Sequence, residues 1–551
     1  MGDQEFDICK SIDCMTKYSE MVIDPMRIRY CLEKALYLAK SGRPGPCWLD
    51  IPLNVQGAFV EKEDLEGFDP EDYENGGTGW GTMGNIHAIP EDEAGKGEKR
   101  QLLPCKVSRE TANLILSKIR AAKRPVINAG NGIRIAGAHD VFMRVAEKLG
   151  IPVITGWDSE DCIWDEHPLY TGRAGNMGDR AGNFAIQNSD LVLSVGSRLS
   201  IRQVGYNYKT WARAAFVIAN DIDSEELKKP SVHADLAVHA DAKDLLEQLD
   251  GALDEILEKE GNQLAESLSK KGEKQLFGGG EGLPGMSWSE TCRMWKETYP
   301  VVQEKHWNFT DQEPANVYAA IQAISSRLKE DQITVVGNGS ACVVGGHAYV
   351  IKKRQRFITN SAVAAMGYDL PAAIGAWTAS RDSRCYSQGR DRSGEDLILV
   401  TGDGSIQMNL QELQTIIHHK MGIKIFLINN GGYHSIRQTQ KNFFGEPLIG
   451  IGVDSGDLSF PDMEKLAGAY GYPYIKAEHN SELAKAVEQT LAVEGPVICE
   501  IFVSMDQNFE PKSSAKRLPD GTLVSPPLED LAPFLPDEEM DENMIIPRIK
   551  G

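Results

Sequence analysis

Residues 397–405, Leu397-Ile398-Leu399-Val400-Thr401-Gly402-Asp403-Gly404-Ser405, and residues 424–432, Lys424-Ile425-Phe426-Leu427-Ile428-Asn429-Asn430-Gly431-Gly432, decide how this chain folds. Each opens as a short apolar run of strand length and ends in a turn that contains glycine. Between them Leu410, Leu413, Ile416 and Ile417 recur at helical spacing, with Asn409 placed to cap that helix and Gly422 just past its end. Strand, helix and strand in this order predict a βαβ crossover, which sets Asp403 and Asn430 at the carboxyl ends of two parallel strands. Open α/β sheets bind ligands in that crevice. An isolated Asp-Gly marks tight turns everywhere, so the reading rests on both elements together.

The residue types suit an anion and a metal. A carboxylate, an amide oxygen and a backbone carbonyl from the glycine turn are hard oxygen donors, which leave positions for phosphate oxygens around an octahedral Mg²⁺. Gly404 lets the backbone come close to a phosphate, and the Gly404 and Ser405 N–H groups are expected to point at the anion.

Working outward, 551 residues suggest several compact units of about 150 residues each. Lys and Arg number 58 against 80 Asp and Glu, a formal charge of −22, which would repel phosphate backbones and excludes nucleic acid as the expected partner. No run approaches the ~20 apolar residues of a membrane span. The opening MGDQEFDICK has no signal-peptide pattern, and a cytoplasmic protein is expected. Ten cysteines without CxxC pairs indicate neither a disulfide framework nor a zinc site.

Asp24 and Pro25 open a helix with Ile28, Leu32, Ala35, Leu36 and Ala39 at helical spacing, stopped by Gly42, and residues 47–52 follow as a short buried strand. Residues 1–57 read as the last part of an α/β domain. Residues 58–107, acidic and including Gly76-Gly77-Thr78-Gly79, read as a linker or insertion. A middle α/β domain is expected over 108–250, with strands at Pro125–Ala129, Val153–Thr155, Leu191–Val195 and Phe216–Ala219. A second linker covers 251–310, with Gly278-Gly279-Gly280. The domain carrying the opening motif spans 311–507, with strands also at Ile333–Val336 and Val497–Val503. Residues 508–551 form an extended tail, disordered or draped over a subunit surface.

GDG followed by NN resembles the diphosphate and Mg²⁺ motif of thiamine-diphosphate enzymes, and the resemblance to acetolactate-synthase-like members covers nearly the whole chain. Residues 17–25 (KYSEMVIDP) and 42–52 (GRPGPCWLDIP) look like the end of the pyrimidine-binding domain. Residues 126–133 (VINAGNGI), 196–205 (GSRLSIRQVG) and 219–223 (ANDID) look like the middle domain, and residues 360–376 (NSAVAAMGYDLPAAIGA) like the segment over which the cofactor bends. The resemblance implies successive doubly wound parallel-sheet domains of the thiamine-diphosphate enzyme type. It implies Asp403, Asn430 and the Gly432 carbonyl as metal ligands, and Gly402, Asp403, Gly404 and Ser405 at the diphosphate. Met366 would wedge beneath the thiazolium ring, and the Ala364 carbonyl would accept from the pyrimidine amino group. From the residues alone, Met366 reads as core filler.

A thiazolium serves as an electron sink in a dry pocket. The implied function is decarboxylation of a 2-oxo acid, with pyruvate the expected substrate, and transfer of the two-carbon unit by a homo-oligomer. Two rivals stand beside it: a cofactor-binding subunit without turnover, and a nicotinamide oxidoreductase. The second is disfavoured because no acidic residue follows a full GxGxxG by about 20 residues. The glycines at 130–132 fit either a dinucleotide cradle or tight-turn packing. The resemblance would place Gly130, Gly172, Gly175, Arg198, Asp221 and Asp235 at a structural FAD, which many relatives lack. His418, His419 and Lys420 need only the helix C-terminus to explain them. Two departures stand out. Thr439 stands where synthases of this type carry Trp. The pyrimidine-activating glutamate of the family has no counterpart in the expected context, Glu5 and Glu20 being the early candidates, so the expectation is a chain inactive alone, either a truncated product or one that needs a partner supplying that half-domain.

Overall fold

The computed structural model describes residues 7–78, 106–267, 277, 280–382, 395–517 and 523–549. Glu5, Gly79-Trp80-Gly81 and Gly278-Gly279 therefore lie outside the described residues.

The chain divides into a smaller unit, residues 1–107 with 221–228 and 239–241, and a larger one. In the smaller unit β1 (Tyr18–Met21) and β2 (Cys47–Asp50) pair in parallel. Asp24 accepts from the Met26 N–H and Pro25 opens a 3₁₀ turn that runs into the helix Ile28–Lys40, as the sequence anticipates. The buried face of that helix differs from the expected one. Tyr30, Cys31, Lys34 and Leu38 are buried, whereas Leu32 and Leu36, one turn apart, are 51% and 57% exposed. The packing partners decide this: Phe68 and Tyr73, from the stretch read as a linker, pack against Tyr30 and Tyr37 and draw in the other side of the helix. Residues 58–78 are thus part of this unit.

The larger unit holds two six-stranded sheets. The first contains β3 (Pro125–Ala129), β4 (Val153–Thr155), β5 (Tyr170–Arg173), β6 (Leu191–Val195), β7 (Phe216–Asp221) and β8 (Leu236–His239), in the order β5-β4-β3-β6-β7-β8. The second contains β9 (Ile333–Val336), β10 (Arg356–Thr359), β11 (Leu397–Gly402), β12 (Ile423–Asn429), β13 (Tyr474–Ala477) and β14 (Val497–Phe502), in the order β10-β9-β11-β12-β14-β13. Its pairings are parallel throughout.

Side chains of β11 and β12 alternate between two cores. Ile398, Val400, Phe426 and Ile428 join the cluster under the helices Val317–Arg327 and Asn480–Ala492, while Leu397, Leu399, Ile423, Ile425 and Leu427 join the one under Glu412–His418 and Met463–Tyr470. Burial on both faces is why these strands read as unbroken apolar runs. Chain order leaves β9 for β10 on one side and β11 on the other, so the switch point of this sheet lies between β9 and β11.

Three boundaries differ from the sequence reading. The helix Ala242–Ser267 runs through residue 250, and in the stretch taken as a second linker the helix Trp288–Thr298 is anchored by two buried indoles. Trp288 donates to the Pro125 carbonyl at 2.9 Å and Trp295 to Asn543 at 2.7 Å. The tail is ordered over its own chain: Arg180 donates to the carbonyls of Leu531 and Pro533, and Asn188 to that of Asn543 in the helix Asp537–Asn543. Polar groups of the middle domain satisfy its backbone where composition alone suggested disorder. Across the larger unit the buried Arg173 donates to the carbonyls of Gly346, His347 and Tyr349, at the C-terminal end of the helix Ser340–Ala348. No described helix is long and apolar enough to cross a membrane.

Candidate active site

The expected crossover is present, with β11 and β12 adjacent and in register from Leu397 opposite Ile423 to Gly402 opposite Ile428. Asp403 and Asn430 therefore emerge side by side at the carboxyl ends, next to the switch point. The connecting segment differs in detail. Ser405 leads into a 3₁₀ turn, Ile406–Asn409, and the helix proper begins at Glu412 without a side-chain cap. Asn409 does not cap it; its amide donates to the Gly367 carbonyl at 2.6 Å, tying down the loop that bears Ala364 and Met366.

Asp403 is buried. Its Oδ1 accepts from the Gly404 N–H at 2.8 Å and its Oδ2 from the Gly432 N–H at 2.9 Å, so one carboxylate joins both strand-end turns. The Gly404 N–H, expected to face an anion, is thereby turned to the Asp403 side chain. Burial pushes the Asp403 carboxyl up to about 6, opposed by the Gly432 and Gly404 N–H groups and by Arg437.

Asn430 is buried as well, and its Nδ2 donates to the Ser340 hydroxyl at 2.8 Å. Its Oδ1 is buried without a hydrogen-bond partner. A buried acceptor left bare costs roughly 1–3 kcal/mol, so this oxygen has the capacity to accept from or coordinate a further group. Gly432 has φ +142°, and a Cβ there would lie 2.1 Å from the Ile451 carbonyl oxygen. Only glycine fits. A Cβ on Gly404 would lie 2.5 Å from the Tyr433 ring and 3.5 Å from the Met366 methyl, which places Met366 over the Asp403–Ser405 turn rather than in the core. Ser405 accepts from the Gly367 N–H at 3.0 Å, and the Ala364 carbonyl accepts from Asn338 at 2.5 Å, with Ala364 itself at φ +54°.

Sequence reasoning missed residues 337–340. Gly337-Asn338-Gly339-Ser340 follows β9 and opens the helix Ser340–Ala348, bringing a helix N-terminus to Asn430 and an amide to Ala364. Gly339 has φ +78° with open space beside it. A strand ending in Gly-x-Gly-Ser before a helix was the available signal; it went unread because nothing local says that β9 borders β11. The buried Asp369, which accepts from Thr401 and whose carboxyl burial raises, was likewise unread.

The middle-domain glycines resolve differently. A Cβ on Gly130 would lie 2.3 Å from the Gly196 carbonyl oxygen, one on Gly172 2.4 Å from Asp179, and one on Gly175 2.4 Å from the Arg202 carbonyl oxygen. All three are packed closely against other parts of the chain, which for Gly130 is one of the two readings left open. Asp221 accepts from the Asp223 N–H at 2.9 Å, Asp235 accepts from the Val217 N–H at 2.8 Å, and Arg198 is exposed, its carbonyl engaged by Lys229. Each of these positions thus has a packing or hydrogen-bonding role within the chain.

A doubly wound sheet with acid, amide and glycine turns beside its switch point is the arrangement in which open α/β sheets bind ligands. Comparison with known proteins narrows the class. Residues 112–249 match the family described as thiamine pyrophosphate enzyme, central domain, and residues 337–501 match thiamine pyrophosphate enzyme, C-terminal TPP binding domain. The chain belongs to the thiamine pyrophosphate enzymes. It is similar to a probable acetolactate synthase large subunit of Methanococcus aeolicus, at 26% identity over 95% of this chain and 76% of that protein. Acetolactate synthase large subunits of Cyanidium caldarium and Corynebacterium glutamicum are 28% and 27% identical, over 92% and 93% of this chain and 75% and 71% of their own lengths.

Proposed function

We propose that this chain is a thiamine-diphosphate- and Mg²⁺-dependent 2-oxo-acid decarboxylase and carboligase of the acetolactate-synthase type, transferring a two-carbon unit from pyruvate to a second carbonyl. The observation that carries this is the bare, buried Oδ1 of Asn430 beside the Asp403 carboxylate at the ends of adjacent strands. Asp403, Asn430 and the Gly432 carbonyl would hold Mg²⁺, whose hard-oxygen preference matches them. Gly402, Gly404 and Ser405, with the helix N-terminus at Ser340, would border the diphosphate. Met366 would support the thiazolium ring, and the Ala364 carbonyl, already accepting from Asn338, would offer its second lone pair to the pyrimidine. When bound, the cofactor supplies the electron sink for decarboxylation. The chemistry needs no flavin, and a cytoplasmic homo-oligomer is the form we expect to act.

The test is direct: purified chain with pyruvate, thiamine diphosphate and Mg²⁺, assayed for CO₂ and acetolactate, with NADH turnover in parallel. Release of CO₂ with acetolactate supports the reading, and NADH oxidation in its place rejects it. A second reading, a cofactor-binding subunit that needs a partner for its activating glutamate, draws support from the exposed Leu32 and Leu36. Glu20 lies within β1 and is ion-paired with Arg27 at 2.8 Å. Cofactor binding without turnover would favour this second reading.

Mg²⁺ binding should depend on pH through Asp403. The metal takes the ionised carboxylate, so affinity should be level above pH of about 6 and fall roughly tenfold per unit below it. The metal-free protein should show the opposite sense in stability. A carboxyl raised on folding contributes most below its unfolded value, and that contribution is lost as pH rises through about 6. Calorimetric Mg²⁺ titrations across that range check the first part, and a flat profile down to about pH 4 would contradict it.

Thr439 is exposed, its hydroxyl donating to the Ser435 carbonyl at 3.1 Å within the helix His434–Phe443. With Thr in place of Trp, selectivity between pyruvate and 2-oxobutyrate as acceptor should be slight, since one methylene is worth only ~1–3 kcal/mol even in a fitted apolar pocket. Competition giving a strong preference for 2-oxobutyrate would overturn this.

A further inference from the structure

We infer that Arg437 and Asp454 are positioning residues that fix the backbone of the metal-bearing loop Asn430–Gly432, an inference that rests on the function proposed above. Arg437 sits in the first turns of the helix His434–Phe443 with its side chain 1% exposed. Its Nη1 donates to the Asn430 carbonyl at 3.1 Å and its Nη2 to the Gly431 carbonyl at 3.0 Å. Its Nε and Nη2 also grip both oxygens of Asp454, each at 2.9 Å. Four of its five N–H bonds are thus spent inside the chain, so it is placed to orient the loop and not to touch substrate.

Pinning the carbonyls of residues 430 and 431 fixes the peptide planes just before Gly432, whose N–H donates to Asp403 Oδ2. The Gly431 carbonyl also accepts from the Val453 N–H at 3.0 Å, and Tyr433 N–H donates to the Ile451 carbonyl at 2.7 Å, so the turn around Asp454 forms the other wall of the same clamp. The chain reserves room for the guanidinium: a Cβ on Gly452 would lie 2.6 Å from Arg437 Nη2. A lysine is a single-point donor that cannot span two carbonyls and a carboxylate at once. Groups that orient metal ligands from outside typically cost 10–100-fold in metal affinity when changed.

The experiment measures thiamine-diphosphate binding by calorimetry as a function of Mg²⁺ for the full chain and for Arg437→Lys and Asp454→Asn, with thermal melting alongside. The expected result is an Mg²⁺ dissociation constant raised about 10–100-fold in Arg437→Lys and less in Asp454→Asn, which keeps a neutral acceptor. In turnover, half-saturation should move to higher Mg²⁺ by more than the plateau rate falls. Unchanged Mg²⁺ affinity in either folded variant overturns the inference, whatever the melting temperature does. Should Arg437→Lys not fold, Asp454→Asn decides alone. An unaltered chain that binds no Mg²⁺ and thiamine diphosphate would instead reject the proposed function, and is read separately from the variants.

Discussion

Asp403→Ala should lose Mg²⁺-dependent thiamine-diphosphate binding by more than about 100-fold, because changes one step removed from a metal already cost ~10–100-fold and Asp403 is the charged ligand of the proposed site. The structure adds a second loss. The carboxylate accepts from the Gly404 and Gly432 N–H groups, so alanine also unties the two strand-end turns that must face one another. Asp403→Asn separates these effects: it keeps one acceptor and most of the shape but removes the charge. Calorimetry should show Asp403→Asn weakened mainly in Mg²⁺ dependence and Asp403→Ala weakened in both metal and cofactor binding. Cofactor affinity unchanged in Asp403→Ala would sink the site assignment.

Gly432→Ala should come next in severity. At φ +142° an L side chain is strained by roughly 1–3 kcal/mol. Its Cβ would also meet the Ile451 carbonyl oxygen at 2.1 Å, a backbone atom that cannot swing aside as a side-chain tip could. Relief requires Gly432 to move away from Ile451, which breaks its N–H bond to Asp403 and displaces the carbonyl proposed as a metal ligand. The expected outcome is a domain that melts lower by a few degrees or more and binds Mg²⁺ with thiamine diphosphate at least ~10-fold more weakly. Both readouts matter, since a fall in stability alone with full cofactor affinity would show that the loop tolerates the side chain.

The neighbouring Arg437 explains why a short glycine turn can hold such a geometry at all. Residues 430–432 contain no side chain able to brace their own backbone except Asn430, whose amide is already given to Ser340. An arginine one helical turn further on supplies the missing donors. In the sequence, Arg437 sits among His434, Gln438 and Gln440 in a polar helical stretch, and nothing there distinguishes it from a solvated residue. Its burial is a property of the packed turn at 451–454.

The sequence by itself determined the alternation of strands and helices and the pairing of Asp403 with Asn430. Strands β3, β4, β6, β9, β11 and β12 were legible because each is covered on both faces, so that its whole length must be apolar, and because turns at strand ends need glycine, aspartate or asparagine. These are local constraints, satisfied within a few residues. The tertiary structure alone decided the rest. Strand order put Gly337–Ser340 beside Asn430 across 90 residues of chain, and the contact of Gly130 with Gly196 showed its glycine to serve packing. The arrival of Phe68 and Tyr73 chose which face of the helix Ile28–Lys40 is buried, exposing Leu32 and Leu36, and polar anchors such as Arg180 and Asn188 held an acidic, proline-rich tail in place. In each case the sequence left two or more partners equally available to a group. The choice between them rests on close packing and hydrogen-bond satisfaction among segments distant along the chain, which no local pattern records.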